Sequence, residues 1–211
     1  MSEIILRMEN INKKYGQHIV FHDFNLNIRE GEYVAIIGES GSGKTTLLNM
    51  IGMIDRPDSG NIYIMGKRNP HIDSKTGRIL LRNTIAYVFQ NYGLVEDETV
   101  KYNLKIKGYY SHKVKAVDMV EALYTVGLDE SYMNKKVYEL SGGEQQRVAL
   151  AGTYLKDFLL ILADEPTGSL DDKNKELVLD IFDKMNQEGK TIIVVTHDKE
   201  VKERARRTVV L

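Results

Sequence analysis

Short, almost wholly apolar runs recur along the chain, and each predicts a strand that is buried on both faces. An uninterrupted apolar run of about four to eight residues is typical of a parallel strand that is covered by other elements on either side. Two stretches nearer the N-terminus, residues 4–8 and 24–28, also favour strands, the second because apolar and polar residues alternate. The buried runs are residues 33–37, 85–89, 159–163 and 192–195.

Helical periodicity separates these runs. Leu177, Ile181 and Met185 follow one another at intervals of four residues, and Val178 and Phe182 extend the same face. Such spacing places apolar side chains along one side of a helix. Buried strands that alternate with amphipathic helices predict an α/β core with a mostly parallel sheet.

Residues 91–140 differ from the rest of the chain, since they contain no buried strand run and are rich in tyrosine and lysine. A helical pattern extends roughly over residues 111–126. We therefore predict a single domain in which a core of about residues 1–90 and 141–211 carries an inserted helical subdomain of about residues 91–140.

The composition excludes several classes of protein. The formal net charge of the 211 residues is −1, so no bulk electrostatic attraction to nucleic acid or to an anionic membrane is expected. Because cysteine is missing, disulfides, zinc–thiolate sites and cysteine nucleophiles are excluded. The pattern predicts neither a signal peptide nor a membrane span, since no apolar run reaches about 18 residues, so another chain would have to supply any span.

Residues 38–45 read Gly-Glu-Ser-Gly-Ser-Gly-Lys-Thr, which matches the phosphate-binding pattern G-x-x-x-x-G-K-[ST] in full. A predicted strand ends just before this segment, and an apolar helical face follows it. Glycines let the backbone turn its N–H groups toward one anion, and the N-terminus of the next helix adds its own. Lys44 would bind the β- and γ-phosphates, and the Thr45 hydroxyl would ligate Mg²⁺. The alternative is a Gly/Ser-rich turn with an exposed lysine.

Asp164 and Glu165 come directly after the run at residues 159–163. Ligands gather beyond the carboxyl ends of parallel strands, and unpaired charge is costly to bury. Asp164 is therefore a candidate Mg²⁺ contact of a nucleoside triphosphatase, and Glu165 is a candidate to orient or deprotonate the attacking water. Two solvated acids at a strand end, or charges at a helix N-terminus, are the alternatives.

Two other predicted strands deliver polar residues at the same edge. Gln90 directly follows the run at residues 85–89, and His197 comes two residues after the run at residues 192–195. Taken singly, each of these residues is usually structural. In a parallel sheet, however, both would meet Lys44 and the two acids at one edge, where His197 could hold the γ-phosphate or the water.

A glycine-containing helix start lies at residues 140–147, which read Leu-Ser-Gly-Gly-Glu-Gln-Gln-Arg. Ser141 and Glu144 have the spacing of a capping box. The two glycines would expose backbone N–H groups and so form a second anion-binding surface. A capped helix without any ligand is the alternative.

With this segment, the sequence resembles the ATP-binding cassette (ABC) ATPases, and the resemblance covers essentially the whole chain. It implies a P-loop NTPase core with a mostly parallel sheet, an N-terminal antiparallel β subdomain and the inserted helical subdomain. Residues 140–146 look like the family signature, residues 169–171 like its D-loop, Gln90 like its Q-loop glutamine, His197 like its switch histidine, and Tyr15 like the aromatic residue that stacks on adenine.

The resemblance also implies ATP and Mg²⁺ as ligands and assigns the site residue by residue. Catalysis would involve Glu165, His197 and Gln90, and Mg²⁺ would be bound by Thr45, Gln90 and Asp164. ATP would be bound by Tyr15, Gly38, Ser40, Gly41, Ser42, Gly43, Lys44, Thr45 and Thr46 of one cassette, and by Ser141, Gly142 and Gly143 of the other.

An assembly is implied by the same resemblance. Two cassettes, either a homodimer or a pair with a related cassette, would close head to tail around two ATP molecules. Hydrolysis would release the pair and drive transmembrane permease subunits between conformations. The cassette would then be cytoplasmic and peripheral on the inner face of the cell membrane, and no nucleic-acid partner is expected.

Residues 162–171 are similar to the branch of the family that serves macrolide efflux, lipoprotein release, and the export of or resistance to bacteriocins and antimicrobial peptides. A bacteriocin or peptide exporter is the first candidate. The alternative is a cassette ATPase that acts on ribosomes or DNA, but those usually carry two fused cassettes or long coiled coils, and this sequence has one cassette and no sustained heptads. A non-hydrolysing regulator is disfavoured because every expected site residue is present.

The sequence departs from the family pattern behind the signature. Gly152 and Thr153 stand where arginine and a small residue are usual, and Phe158 stands where proline is common. Because glycine costs about 1 kcal/mol within a helix, we expect weaker helical support for the signature.

Overall fold

A computed structural model describes residues 3–108 and 115–211, which form two sheets with helices packed around them. The first sheet is antiparallel, with the strand order β2-β1-β4-β5. Its β1–β2 hairpin turns at Gly16, whose φ of 61° lies in the left-handed region that favours glycine. Numbered in chain order, its strands are β1 (Ile4–Tyr15), β2 (His18–Arg29), β4 (Ser59–Ile64) and β5 (Lys67–Arg68).

The second sheet has the strand order β6-β7-β8-β3-β9, and every neighbouring pair in it is parallel. This arrangement confirms the predicted fold class, a mostly parallel core sheet with an antiparallel sheet near the N-terminus. All carboxyl ends of these strands lie at one edge, which is where ligands of α/β proteins gather. The strands are β3 (Tyr33–Ile37), β6 (Ile85–Val88), β7 (Leu160–Asp164), β8 (Thr191–Val195) and β9 (Arg207–Val210).

Helices connect these strands and cover the parallel sheet. Two short 3₁₀ helices, Glu130–Asn134 and Val137–Glu139, precede the glycine-containing helix start. The α-helices are α1 (Lys44–Ile51), α2 (Lys75–Asn83), α3 (Val100–Lys107), α4 (Ala116–Thr125), α5 (Gly142–Tyr154), α6 (Asp172–Gln187) and α7 (Lys199–Arg204).

Two apolar cores form on opposite faces of the parallel sheet. Along β7, Leu160 and Leu162 pack with the antiparallel sheet and α1, whereas Ile161 and Ala163 pack with α3, α4, α5 and α6. Since both faces are buried, every position of these strands favours an apolar side chain. The two cores therefore explain the uninterrupted apolar runs and hold the carboxyl edge of the sheet rigidly.

Several elements differ from the sequence expectation in extent. The strands predicted at residues 4–8 and 24–28 are longer, because backbone pairing in the β1–β2 hairpin continues through polar residues up to Tyr15 and His18. Strands β4, β5 and β9 and helices α2 and α7 are not among the predicted elements, and none of them is longer than nine residues. Helix α4 confirms the helical prediction over residues 116–125, while residues 111–114 lie outside the described part of the chain.

The structure gives a physical reason for glycine at position 152. Helix α5 continues through Gly152 to Tyr154, so the expected weakening does not interrupt it. A Cβ at this position would lie 2.3 Å from Cδ of Lys107, whose side chain crosses from α3. Burial and the nearby Lys156 charge lower the pKa of Lys107 to about 8. Glycine thus makes room for a lysine in a space that a larger side chain would fill.

Among the described residues, no helix combines the length and the apolar character that crossing a bilayer requires.

Candidate functional site

The loop between β3 and α1 depends on glycine. Gly41 and Gly43 have φ values of 83° and 97°, which L side chains rarely adopt. Space is limiting as well, because a Cβ at Gly43 would lie 2.4 Å from Cγ1 of Val20 on β2. The loop therefore packs against the antiparallel sheet, and this packing together with the glycine φ values sets its backbone conformation.

Two polar groups in this loop fit an anionic ligand. The Lys44 ammonium donates hydrogen bonds to the carbonyl oxygens of Gly38 (3.0 Å) and Glu39 (2.8 Å), so the loop curls around the charge. The Ser42 hydroxyl is buried and has no partner within the described residues. Gly43, which precedes α1, has no side chain to cap the first N–H groups of the helix. Free donors at a helix N-terminus are the usual means of binding phosphate.

A single cavity of about 710 Å³ joins this loop to the other predicted site residues. Lys44 lines it, as do Asp164 at the end of β7 and Glu165 directly after that strand. Gln90 after β6 and His197 beyond β8 line it too. A volume in this range suits a nucleotide-sized ligand. The predicted residues that line the cavity are Tyr15, Gly38, Ser40, Gly41, Gly43, Lys44, Thr45, Thr46, Gln90, Asp164, Glu165 and His197, whereas Ser42 is not among its lining residues.

Asp164 is buried at the end of β7, beside the first turn of α1. Burial raises the pKa of this carboxyl, and the negative charge of Glu165 acts in the same direction. A hydrogen bond with the Thr45 side chain and the positive charge of Lys44 oppose that rise. A hydroxyl and a carboxylate that face each other are oxygen ligands of the kind that Mg²⁺ takes, so this pair fits the ion.

Glu165 is held in an unusual backbone conformation. Its φ is 45°, in the left-handed region that is uncommon for residues other than glycine, and its N–H donates to the carbonyl oxygen of Val195 (2.9 Å). One carboxylate oxygen lies 2.8 Å from Nδ1 of His197 and the other lies 3.1 Å from the hydroxyl of Thr196. The carboxylate is therefore oriented from two sides while it lines the cavity.

Tyr15 lines the cavity at the end of β1. The residue is 52% exposed. The hydroxyl donates to Asp55, and this hydrogen bond raises the pKa of the tyrosine. Lys13 binds the same carboxylate at 2.7 Å, and its ammonium lies 4.9 Å from the centre of the tyrosine ring. The ring is thus fixed at its hydroxyl end and leaves apolar surface open to a ligand.

The segment after β6 contacts the segment after β7. Gln90 is exposed and lines the cavity. Two residues further on, the Tyr92 hydroxyl lies 2.9 Å from the hydroxyl of Ser169, and a Cβ at Gly142 would lie 3.1 Å from the same tyrosine oxygen. Tyr92, which follows β6, therefore connects its own segment to the segment after β7 and to the start of α5. These three segments carry separate sequence motifs.

The glycine-containing start of α5 lies outside the cavity. The Ser141 hydroxyl accepts a hydrogen bond from the Glu144 N–H (3.3 Å), and the Glu144 carboxylate accepts one from the Ser141 N–H (2.8 Å), which is a complete capping box. Ser141 and Gly142 are exposed, whereas Gly143 is buried against Asn174. This chain therefore does not bring its own Ser141–Gly143 segment into the cavity that holds Lys44.

Three lining residues are missing from the sequence-based site, namely His18, Val20 and Val195. His18 pairs with Tyr15 across the β1–β2 hairpin. The glycine turn at Gly16, directly after Tyr15, was the one available signal, because a tight hairpin brings the residues that follow it back beside those that precede it.

Known proteins resemble this chain over most of its length. The family model described as "ABC transporter" matches residues 21–168. The macrolide export ATP-binding/permease protein MacB of Bartonella quintana is 41% identical over 97% of this chain, although the chain spans only 32% of that relative. The lipoprotein-releasing system ATP-binding protein LolD of Aquifex aeolicus is 40% identical, and the match covers 97% of this chain and 92% of that relative.

A solved structure has the same architecture. The dimeric, post-hydrolysis state of the ATP-binding cassette MJ0796 bound to ADP and Pi has a TM-score of 0.88 and 36% identity, and the match covers 98% of this chain and 94% of that one. MJ0796 is a protein of Methanocaldococcus jannaschii. From the family match and from LolD, of which the match covers 92%, we conclude that the chain belongs to the ABC transporter family.

Proposed function

We propose that this chain is the ATP-binding and ATP-hydrolysing subunit of a membrane transporter, acting as a single domain with a core of about residues 1–90 and 141–211 and a helical subdomain of about residues 91–140. The observation that carries the proposal is the common cavity of Lys44, Asp164 and Glu165. A phosphate-binding lysine, a candidate metal ligand and a candidate base thus face one volume. Family membership and the relatives named for export and release support the transport role.

The residues that line the cavity are proposed to have separate roles in ATP hydrolysis. Backbone N–H groups of residues 38–46 and the Lys44 ammonium bind the phosphates, and the exposed face of Tyr15 stacks on adenine. Thr45, Gln90 and Asp164 would hold Mg²⁺. When bound, the ion would neutralise charge on the phosphate oxygens.

Glu165 is the proposed general base for the attacking water. A carboxylate within reach of a water accelerates its attack by taking up a proton. His197 lies 2.8 Å from Glu165, is exposed and lines the cavity, so it can contact the γ-phosphate. The two side chains would thus position the water and the phosphate together.

The assembly proposed is a head-to-tail dimer, either of this chain or with a related cassette. Ser141 and Gly142 are exposed and lie outside the cavity of their own chain, which suits binding to ATP held by the other cassette. The dimeric structure of MJ0796 bound to ADP and Pi supports this arrangement. Transmembrane permease subunits complete the transporter, and the cassette binds to them from the cytoplasm at the inner face of the cell membrane. The action on ribosomes or DNA is the weaker candidate, since the relatives reported above are transport proteins by name.

The cargo proposed first is a bacteriocin or another peptide, on the similarity of residues 162–171 to that branch. Macrolide-type drugs and lipoproteins are the next candidates, because relatives carry those names. Transport assays with the partner permease would distinguish these cargo classes.

Mixing two inactive variants tests the composite site. Ser141→Arg should block the surface offered to the partner, and Glu165→Gln should disable the base. Each variant alone should release little phosphate. In a heterodimer, the cavity of the Ser141→Arg chain would face an intact Ser141 segment, so mixing should restore turnover at about a quarter of all sites if pairing is random. Nucleotide binding by each variant alone verifies that it is folded, and no gain at any mixing ratio would contradict the trans site.

Tyr15 provides a further prediction about nucleotide binding. Tyr15→Ala should weaken ATP binding several-fold, because aromatic stacking contributes about 1 kcal/mol. Tyr15→Phe is the matched control, since it keeps the ring and removes only the hydrogen bond to Asp55. Titration with a fluorescent ATP analogue measures both. Equal affinity of wild type and Tyr15→Ala would leave Tyr15 as a packing residue.

A further inference from the structure

Thr196 is a buried polar residue between β8 and His197. Its relative exposure is 0%, and its N–H donates to the carbonyl oxygen of Ile36 (3.1 Å) on the neighbouring strand, just before the phosphate-binding loop. The residue is therefore tied to the two strands that end at the cavity, and its side chain has little freedom to move.

The direction of its hydroxyl hydrogen bonds follows from the available donors. The N–H of Asp198 donates to the Thr196 hydroxyl oxygen (3.0 Å), and that oxygen lies 3.1 Å from a carboxylate oxygen of Glu165. A threonine hydroxyl has one proton, and an ionised carboxylate can only accept. The proton of Thr196 is consequently directed at Glu165.

The two partners of the Glu165 carboxylate differ in mobility. The side chain of His197 is 75% exposed, so a ligand or a partner can displace it. Thr196 is enclosed, and the Asp198 segment that donates to it is held in turn by the Thr167 hydroxyl (3.2 Å) and the Lys175 ammonium (3.2 Å). Of these two described partners, Thr196 is the one that can hold the carboxylate in one orientation when His197 is displaced.

We propose that Thr196 is a positioning residue for Glu165, whose hydroxyl fixes the carboxylate at the angle needed to take a proton from the attacking water. This inference rests on the proposed role of Glu165 as the base. It assigns a function to a side chain that does not line the cavity and acts only through another residue.

A matched pair of variants tests the proposal on the full chain. Thr196→Val keeps the shape and removes the hydroxyl, and kcat for ATP should fall about tenfold, as expected for the loss of a hydrogen bond to a charged group. The KM and the Kd for ATP should not change, because no contact with the nucleotide is lost. Thr196→Ser restores the hydroxyl and should recover most of kcat.

Thr191→Val is the control for a purely structural effect. Thr191 is also buried, lies at the other end of β8, and accepts a backbone hydrogen bond from the Gly31 N–H (3.0 Å) through its hydroxyl. Thr191→Val should lower the melting temperature about as much as Thr196→Val and leave kcat unchanged. Equal losses of kcat in the two variants, or a wild-type kcat in folded Thr196→Val, would overturn the proposal. If Thr196→Val does not fold, Thr196→Ala provides the same comparison.

The Glu165→Gln background separates this proposal from the proposed function. Single-turnover hydrolysis in that background should not slow further when Thr196→Val is added, because the group that Thr196 orients no longer acts as a base. A further tenfold loss would show that Thr196 acts elsewhere and would overturn the inference. Wild-type turnover by Glu165→Gln itself would instead remove the proposed base, and the inference with it.

Discussion

Replacing Glu165 with glutamine is expected to abolish most ATP turnover while ATP binding is retained. The amide has nearly the same shape as the carboxylate but cannot take up the proton of the attacking water, and general-base catalysis contributes about 100-fold to 10,000-fold. Lys44 and the phosphate-binding loop are unchanged by this substitution. Phosphate release should therefore fall by at least about 100-fold, with a nucleotide dissociation constant close to that of wild type.

An ATP-bound dimer should accumulate in this variant, because the proposed dimer closes on ATP binding and opens after hydrolysis. Size-exclusion chromatography with and without ATP measures the accumulation. Glu203→Gln is a suitable control, since Glu203 is an exposed acid of α7 that does not line the cavity. Phosphate release at the wild-type rate by Glu165→Gln would show that Glu165 is not the base.

Lys44→Ala should remove most of the affinity for ATP. In the proposed site the lysine supplies the point charge for the β- and γ-phosphates. A hydrogen bond between charged groups contributes about 1.5–3 kcal/mol, which corresponds to roughly 10-fold to 100-fold in the dissociation constant. The substitution also removes the two hydrogen bonds from Nζ to the carbonyl oxygens of Gly38 and Glu39. The loss of the charge and the loss of these hydrogen bonds both destabilise the folded conformation of the phosphate-binding loop.

The expected change is measured by isothermal titration calorimetry with ATP and Mg²⁺. Lys67→Ala controls for the loss of one positive charge, because Lys67 is exposed on the short strand β5 and does not line the cavity. The melting temperature of each variant reports whether the loop alone is disturbed or the fold as well. An unchanged dissociation constant for Lys44→Ala would contradict the assignment of this loop as the phosphate site.

Much of the core could be predicted because its constraints are local and repetitive. Burial on both faces favours apolar residues along β3, β7 and β8, where the only polar positions of the latter two strands are Asp164 at the end of β7 and Thr191 at the start of β8, and this pattern is visible without knowledge of the partners. The short strands β4 and β5 carry no such pattern, since they belong to a sheet with polar surface and pair through backbone groups. Backbone pairing of this kind leaves little trace in side-chain chemistry.

Some residues of the candidate site could likewise be predicted from the sequence, and others could not. The phosphate-binding loop is one contiguous segment, so its glycines and lysine identify it wherever the segment occurs. His18 and Val20 reach the cavity only through the register of the β1–β2 hairpin. The hydrogen bond from Thr196 to Glu165 joins the residues that directly follow the neighbouring strands β8 and β7, and nothing in the residue types at these positions indicates it.

Runs of consecutive residues are enough to predict the parallel core, the loop at residues 38–45 and the acids Asp164 and Glu165, because the chemistry of each is explicit in one short segment. The shared cavity, the orientation of Glu165, the space for Lys107 beside Gly152 and the surface on which Ser141 lies follow only from the folded arrangement. Those features depend on strand register and on packing between distant segments. Their free energy comes from close contacts that no single stretch of the chain contains.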